Sequence, residues 1–459
     1  MDLLSVFLSR IQMGVTLTMH IMFPALNIGL ALFLTFMELM WLKTKNPLYL
    51  KMCKFWMKIF ALAFGMGVVS GIVMAYELGA NFGKFTYAIG EVLGSLFVYE
   101  VLSAFFLEAG FLGIMLFGWN RVSPRMHFFA TLMVMIGTAF SAFWIMSANS
   151  WMQAPSGFKL VGGEYILDTW WGVIFNPTFI PRFAHMLFAS YVTSSFFIIG
   201  ISAWYLLQNR HQELAKKSMS WALWVALIAV PLQMWLGDTA GLEVHKHQPL
   251  KTAAMEAVWN TQRGAPLVLF AWPSEKEEKN LYSIEIPYGA ALINTHSLDG
   301  ELIGLTTVPP EDRPPVAPVF FSFRIMVGIG VIFFFIAIGG LLLRANGAVF
   351  RNRFFLRICA LCTPLGFIAT IAGWFTAEIG RQPWVVYNFM RTAKGASDLP
   401  ADHVLISLCA FVLIYLFILS FFLFYLINMI KKGPDILLEK ELKEDHAFLY
   451  MSPEDKEEA

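Results

Sequence analysis

The segment VFFSFRIMVGIGVIFFFIAIGGLLL (319–343) is long and apolar enough to cross a lipid bilayer as one helix, and its single charged residue is Arg324. The whole chain has a similar character. Of its 459 residues, 58% are hydrophobic and only 14% are charged, whereas a soluble protein carries about a quarter charged residues. The composition therefore predicts an all-α polytopic membrane protein. A net charge of +1 gives no indication of a nucleic-acid partner.

Eight further segments have the same character, which predicts about nine transmembrane helices, since each needs about 20 mostly apolar residues. The predicted spans cover residues 11–42, 55–77, 93–118, 127–148, 182–207, 219–238, 319–343, 356–377 and 403–430. We therefore divide the chain into spans 1 to 6 (1–238), a long polar loop (239–318), spans 7 to 9 (319–430) and a charged tail (431–459).

Lysine and arginine in the connecting loops predict the orientation of the chain. They concentrate in the loops after spans 1, 3, 5 and 7 and directly after span 9, whereas the two shorter alternate loops contain only Lys84 and Lys159. The positive-inside rule then places the N-terminus outside the cell and the C-terminus in the cytoplasm. The tail EKELKEDHAFLYMSPEDKEEA (439–459) is predicted to be a solvated cytoplasmic extension.

The loop at 239–318 is polar, Pro-rich and predicted to face outside. Within it, KTAAMEAVWNTQ (251–262) predicts a short helix and YSIEIP (282–287) predicts a short strand. Loops of this length in compact proteins are usually functional. We therefore expect the loop to contribute to an extracytoplasmic site.

Four side chains that can bind iron fall in the outer half of the predicted membrane region: His20, His185, Met326 and Glu378. Ionisable groups there cost about 2.5–3.5 kcal/mol or more, so each requires a reason. A His–Met pair can hold a low-spin haem, and a second iron with a single protein ligand would keep an open position for a gas. Taken singly, the histidines could bond neighbouring helices, the methionine could be packing, and Glu378 could form an interfacial ion pair with Arg381.

Two glutamates, Glu100 and Glu108, lie eight residues apart on span 3. On a regular helix they point within about 80° of each other, so both can face one interior. A proton-coupled transporter could use such a pair, but it would not need a His–Met pair at matched depth. The transporter therefore stays an alternative interpretation.

Six stretches of the sequence resemble subunit I of the cytochrome bd-type quinol oxidases. They are LSRIQMGVTLTMH (8–20), YEVLSAFFLEAGFLGIMLFGWNR (99–121), AHMLFASY (184–191), KTAAMEAVWNTQ (251–262), FRIMVG (323–328) and GWFTAEIGRQPW (373–384). The resemblance covers nearly the whole chain, and its GRQPW signature is complete. The loop is similar to the short type found in the family, and membership of the cyanide-insensitive branch stays open.

The resemblance implies a role for each candidate residue. His185 and Met326 would bind a low-spin haem b, while His20 and Glu378 would serve two further haems, a high-spin haem b and a haem d. Which haem lies at which of these two ligands stays open, as does a haem b in place of haem d. The other implied roles are proximity to the haem pair for Glu100 and Trp374, neutralisation of haem propionates for Arg324 and Arg381, quinol binding for Lys251 and Glu256, and a proton route through Glu108, Glu100 and Ser141.

By the same resemblance, the chain would be the haem-bearing subunit of a terminal oxidase. It would oxidise quinol at the outer face and reduce dioxygen to water, with electrons passing from the low-spin to the high-spin haem and then to the oxygen-binding haem. Quinol protons would leave outside and water protons would come from inside, so that the membrane is charged without a pump. The implied partners are a second membrane subunit, subunit II, and small single-span subunits, in the plasma (inner) membrane of a bacterium or archaeon.

Two other redox proteins were weighed. A haem–copper oxidase needs several imidazoles for copper and haems together, and only His20 and His185 lie well within the predicted spans, so we expect iron held by haem and no copper. A quinone-reactive cytochrome b without oxygen chemistry would need neither His20 nor Glu378. The sequence does not distinguish ubiquinol from menaquinol.

Overall fold

The computed structural model describes residues 3–434. In this part of the chain nine helices are long and apolar enough to cross a membrane, which confirms the predicted fold class. The helices are α1 (Leu3–Thr44), α2 (Pro47–Asn81), α3 (Gly90–Phe117), α4 (Pro124–Gln153), α5 (Phe179–Leu207), α6 (Gln212–His247), α7 (Pro249–Glu256), α8 (Gly289–Thr295), α9 (Val316–Arg344), α10 (Arg353–Ile379) and α11 (Ala401–Lys432). The short α7 and α8 belong to the long loop. The predicted cytoplasmic tail lies outside the described residues from 435 onward.

Local sequence signals explain where several helices begin. Asn46 precedes α2, and its side-chain oxygen accepts a hydrogen bond from the Leu48 N–H at 2.9 Å. Ser123 caps α4 in the same way, through the Met126 N–H. A proline follows each cap, at the helix position where a missing N–H costs nothing. The turns at these ends are consequently short.

Two membrane helices depart from regular α geometry near the candidate residues. Helix α3 contains π-helical turns at Gly90–Gly94 and Val101–Phe105, the second directly after Glu100. Helix α10 is interrupted after Leu361 and resumes at Leu365. At this interruption a Cβ on Gly200 of α5 would lie 1.9 Å from the Thr363 hydroxyl, so only glycine permits the approach.

The helices alternate in direction, which gives the molecule two sides. We call the side with residues 248–315 the loop side, and the side with the Lys- and Arg-rich turns the basic side. On the basic side the Tyr205 hydroxyl donates to the Ile430 carbonyl at 2.6 Å, which ties α5 to α11. The largest cluster of buried apolar residues joins α1, α2, α5 and α6, with Trp56, Phe60 and Phe196 at its centre.

All strands in the described residues form two-stranded antiparallel sheets. They are β1 (Phe158–Val161), β2 (Glu164–Leu167), β3 (Gln262–Arg263), β4 (Leu267–Ser274), β5 (Lys279–Ile286), β6 (Glu301–Leu302), β7 (Trp384–Val386) and β8 (Met390–Arg391). The pairs are β1–β2, β3–β6, β4–β5 and β7–β8. Single helical turns lie at Gly83–Ala88, Trp170–Ile174, Leu305–Thr307, Pro310–Asp312, Ala348–Phe350 and Thr392–Gly395.

The loop has more structure than its sequence indicates. The strand expected at 282–287 is β5, and it pairs with β4, a partner that the sequence did not indicate. The helix expected at 251–262 spans only Pro249–Glu256 as α7. It ends because Ala257 adopts a left-handed conformation with φ of 53°, and its carbonyl accepts a hydrogen bond from the Asn280 side chain at 2.9 Å. Helix α6 meanwhile continues beyond residue 238 to His247.

Candidate functional site

Glu378, in the last turn of α10, is the hydrogen-bond acceptor at the centre of a polar cluster on the loop side. Its Oε1 accepts from the Asn149 Nδ2 at 2.9 Å and from the Gln153 Nε2 at 3.1 Å. These two amides lie one turn apart on α4. Its Oε2 pairs with the Nη2 of Arg381 at 2.5 Å. Each carboxylate oxygen is therefore already bonded by protein donors.

Two further cations reach the same cluster from other elements. Arg182, in the first turn of α5, donates through Nη2 to the Asn149 side-chain oxygen. Lys251, on α7, donates through Nζ to the Gln153 Oε1 at 2.5 Å. Three cations thus surround one carboxylate. We call this set the Glu378 cluster, which comprises Glu378, Asn149, Gln153, Arg182, Lys251 and Arg381.

The cluster carries more positive than negative charge. Burial and the neighbouring Arg182 charge hold the pKa of the Lys251 amine well below its usual range. Burial also lowers the pKa of the Arg381 guanidinium, which the Glu378 carboxylate opposes. Even with a neutral lysine, two guanidinium groups face a single carboxylate. Such an excess is costly in a buried site unless an anion compensates it.

Unpaired donors in the cluster test whether an anionic group fits. The Nε and Nη1 atoms of Arg381 are buried and have no hydrogen-bond partner, and neither has the Nε of Arg182. Buried polar groups are normally paired, so these atoms indicate a missing acceptor. Carboxylates such as the propionates of haem would supply both the acceptor and the negative charge. The donor set therefore fits a haem group beside Glu378.

His185 is a buried imidazole with one unpaired ring nitrogen. Its Nε2 lies 3.2 Å from the Gln233 side-chain nitrogen, while its Nδ1 is buried and has no partner. An amide nitrogen only donates, so in this arrangement Nε2 accepts and Nδ1 carries the proton. A metal-bound imidazole donates from its second nitrogen, and the unpaired Gln233 side-chain oxygen would supply that acceptor if the amide were turned about. The ring also lies against α6 at Gly237, where an added Cβ would be 3.2 Å from the His185 Cε1.

Like His185, the side chains of His20 and Met326 lie against glycines of neighbouring helices. A Cβ on Gly71 would be 3.2 Å from the His20 Cε1, and a Cβ on Gly373 would be 2.8 Å from the Met326 sulfur. The Nδ1 of His20 also lies 3.0 Å from the Ser70 hydroxyl. Each candidate haem ligand except Glu378 thus lies against a glycine of a neighbouring helix, and Gly373 directly precedes the half-buried Trp374.

The two residues predicted to bind quinol point in different directions, although both are buried, with exposures of 2% for Lys251 and 1% for Glu256. Lys251 faces the Glu378 cluster. Glu256 pairs with the Nη2 of Arg324 at 2.7 Å and accepts a longer bond from Asn294 at 3.4 Å. Arg324 also donates through Nε to the Val268 carbonyl at 2.7 Å. Because these donors of Arg324 are occupied, its role toward a propionate stays a prediction.

The predicted proton-route residues lie between α3 and α4. The Ser141 hydroxyl donates to the Glu100 Oε1 at 2.7 Å. Glu108, which is 8% exposed, packs against Gly137, where an added Cβ would be 2.6 Å from its Cγ. Both carboxylates therefore face α4, and this places them in one interior despite the π-helical turn between them.

Sequence analysis missed three members of the Glu378 cluster: Asn149, Gln153 and Arg182. It weighed ionisable groups within the spans, and two of these residues are amides. A signal was nevertheless present, because two amides at i, i+4 near the end of a membrane helix form one polar face. Arg182 lies three residues before His185, on the same helix and one turn away.

Comparison with known proteins shows which family the chain resembles. The family model "Cytochrome bd terminal oxidase subunit I" matches residues 8–434. The chain is 36% identical to "Cytochrome bd ubiquinol oxidase subunit 1" of Bacillus subtilis (strain 168), over 93% of this chain and 94% of that protein. It is 30% identical to "Cytochrome bd-II ubiquinol oxidase subunit 1" of Escherichia coli (strain K12), over 95% and 98%. Among solved structures, the bd oxidase from Geobacillus thermodenitrificans matches with a TM-score of 0.86 and 31% identity, over 94% of this chain and 99% of that chain.

Proposed function

Since this chain belongs to the cytochrome bd terminal oxidase subunit I family, and is thus a multi-pass membrane subunit of a haem-containing quinol oxidase, we propose that quinol oxidation and dioxygen reduction both take place on it. Quinol is oxidised on the loop side, and dioxygen is reduced to water. The observation that carries the proposal is the excess of buried cations around Glu378, with unpaired guanidinium nitrogens. That arrangement fits bound groups that bring carboxylates of their own.

The chain offers ligands for three haem groups. His185 and Met326 hold a low-spin haem b, and His20 and Glu378 serve a high-spin haem b and a haem d, or a third haem b. When bound, these groups carry electrons from quinol to dioxygen. Arg381 and Arg182 bind propionates, since their free nitrogens are buried beside Glu378.

The loop at 239–318 binds quinol through residues on α7. Glu256 accepts a proton from the quinol hydroxyl, and the Arg324 guanidinium, 2.7 Å away, orients its carboxylate. Lys251 bonds the other quinol oxygen and lies one amide away from Glu378, through Gln153. Loss of both protons and both electrons converts the quinol to a quinone.

Protons for water are taken up from the opposite side of the membrane, the basic side. Glu108 lies closer to that side on α3, and Glu100 with Ser141 lies beyond it toward the loop side. The membrane is then charged without a pump, with the N-terminus outside and the C-terminus in the cytoplasm. Members of the family work with a subunit II. Helix α11, whose most apolar window is only 11% buried, offers an exposed surface for lipid or for small single-span subunits.

A visible spectrum of the purified protein tests the proposal. Three haems, with one chlorin-like band or with a third haem b in its place, are the expected result. A single b-type haem would instead indicate a quinone-reactive cytochrome b without oxygen chemistry, and no haem would indicate a transporter. For the orientation, a cytoplasm-dependent reporter is expected to be active after Lys432 and inactive near Asp299. The reverse pattern would place quinol oxidation on the other side.

A further inference from the structure

A buried acid–imidazole pair lies at the basic side, away from all the candidate haem ligands. Glu38, near the end of α1, accepts a hydrogen bond from the Nδ1 of His127, in the first turn of α4, at 2.6 Å. Its other oxygen accepts from the Thr131 hydroxyl at 2.7 Å. The two titratable side chains are 0% and 1% exposed. Neither has a part in the mechanism described so far.

An aromatic side chain lies against the imidazole of the pair. Trp119, in the turn between α3 and α4, stacks on the His127 ring with centroids 3.8 Å apart. The Lys54 ammonium of α2 lies 5.7 Å from the Trp119 ring centroid. Cys53 is the titratable residue of α2 that faces Glu38. Trp119 is only half-buried, so the imidazole lies beneath a partly exposed ring at the basic side.

The second ring nitrogen of His127 distinguishes the pair from a structural tie. The Nε2 is buried and has no hydrogen-bond partner. If the pair served only to hold α1 against α4, the hydrogen bond from Nδ1 would be sufficient. The unpaired buried Nε2 would then reduce the stability that this contact contributes. An imidazole that takes a proton at one nitrogen and releases one at the other requires this arrangement.

Helix α4 connects the pair to the carboxylates of the proposed proton route. His127, Thr131, Thr138 and Ser141 fall within about 80° of one another around the helix, and they extend over about 21 Å of its length. Thr131 bonds Glu38, and Ser141 bonds Glu100. These polar residues therefore form one stripe that starts at the basic side and reaches the outer carboxylates.

We propose that Glu38 and His127 form the proton-loading site of the oxidase, which takes up protons at the basic side for delivery to Glu108. This inference rests on the proposed function. A proton binds at the His127 Nε2, the Nδ1 proton passes to the Glu38 carboxylate, and Glu38 releases its proton toward Glu108. The imidazole returns to its starting state when its ring protons re-equilibrate. One proton is delivered for each electron that reaches dioxygen.

The longest step lies between Thr131 and Gly137, where Glu108 packs. The rise along α4 over this interval is about 9 Å. The buried Val134 occupies the same stretch. Water molecules must enter there, because no side-chain hydroxyl lies between the two positions on this face. Proton transfer across this interval is therefore expected to limit the rate at which the route takes up its next proton.

Glu38→Gln in the assembled oxidase tests the inference, because the amide keeps the shape and can still accept the His127 bond through its oxygen, while the Thr131 hydroxyl can turn to accept from its nitrogen, but it cannot carry a proton. Fully reduced enzyme in vesicles is mixed with dioxygen, and a pH dye on the basic side follows proton uptake. We expect uptake to be slowed by at least about tenfold, with a larger solvent deuterium effect. First-turnover reduction of the low-spin haem by quinol is expected to stay fast. His127→Gln should reproduce the effect, and it carries the test if the first variant does not assemble.

Thr35→Val is the matched control, since Thr35 lies one turn from Glu38 on α1 and its hydroxyl bonds only the Ala31 carbonyl, at 2.8 Å. It should leave uptake at the parent rate. Glu108→Gln is measured in parallel. Slow uptake with this variant but parent-rate uptake with Glu38→Gln and His127→Gln would overturn the loading site and leave the proposed route through Glu108 intact. Parent-rate uptake in all three would overturn both.

Discussion

The Glu378 cluster and the Glu38–His127 pair each contain one buried carboxylate. They lie at opposite ends of helix α4, which supplies hydrogen-bond partners to both. At the loop side, three cations surround one carboxylate, and guanidinium nitrogens remain unpaired. At the basic side, one carboxylate faces one imidazole, a group that can carry the matching positive charge. An excess of donors suits a site that receives an anion, whereas a balanced pair suits a site that exchanges protons. The Glu256–Arg324 ion pair belongs to the balanced type.

The largest effect is expected when the only carboxylate of the cationic cluster is removed. Glu378→Gln leaves Arg182 and Arg381 without a negative partner and removes a proposed iron ligand. We expect loss of the haem held there and a fall in oxygen reduction of more than about 100-fold. Haem content per protein and oxygen uptake measure the two effects. Full haem content and parent activity would show that Glu378 serves only as a counter-ion.

A smaller effect is expected at the balanced pair on the loop. Glu256→Gln removes the proton acceptor and leaves Arg324 buried beside a neutral amide, so quinol oxidation should fall by about 100-fold. Turnover with an artificial donor to the haems should stay near the parent rate. Thr252→Val, on the same helix α7, is the control for general disturbance of the loop, because the buried Thr252 hydroxyl has no hydrogen-bond partner in the described residues. Equal loss with both donors would contradict a role in quinol oxidation.

Met326 is a proposed haem ligand that carries no charge. Met326→Leu preserves the volume and removes the thioether, so the low-spin haem should become high-spin with a lower potential. Quinol turnover is expected to fall by about tenfold. Redox titration and the reduced spectrum record the change, while the other two haems should be retained. An unchanged spectrum would assign Met326 to packing.

The smallest effect is expected when one of the excess cations is removed. Arg182→Met should weaken haem retention only a few-fold, because Arg381 still supplies free donors. The haem-free protein should become more stable, by about 1–4 kcal/mol, since an uncompensated buried charge is replaced by an apolar side chain. Thermal unfolding of the haem-free and haem-loaded forms distinguishes the two changes. Destabilisation of both forms would contradict the excess-charge description.

The sequence predicted the fold because membrane helices depend on local composition. Span 7, for example, was evident from an apolar run with one arginine. Glu378 was identified for the same reason, as a charge where charges are expensive. The ion pair of Glu378 with Arg381 was also considered from the sequence, because Arg381 follows one turn later. Arg182 and Gln153 could not be predicted, since they join the cluster only through the packing of α4, α5 and α10. His127 was passed over because it begins a span, where a histidine looks solvent-exposed; its acid partner is 89 residues away.

The surplus of positive charge around Glu378 also bears on how the subunit is made. A chain that has entered the membrane without its haems holds mutually repelling cations between α4, α5 and the loop. Docking of Lys251 against Gln153 is then opposed, and α7 should remain accessible to membrane proteases. Binding of the proposed haem propionates would remove the repulsion and let the loop close. Maturation of the subunit would then be expected to include an electrostatic checkpoint, at which haem-loaded subunits are protected from proteolysis before they pair with subunit II.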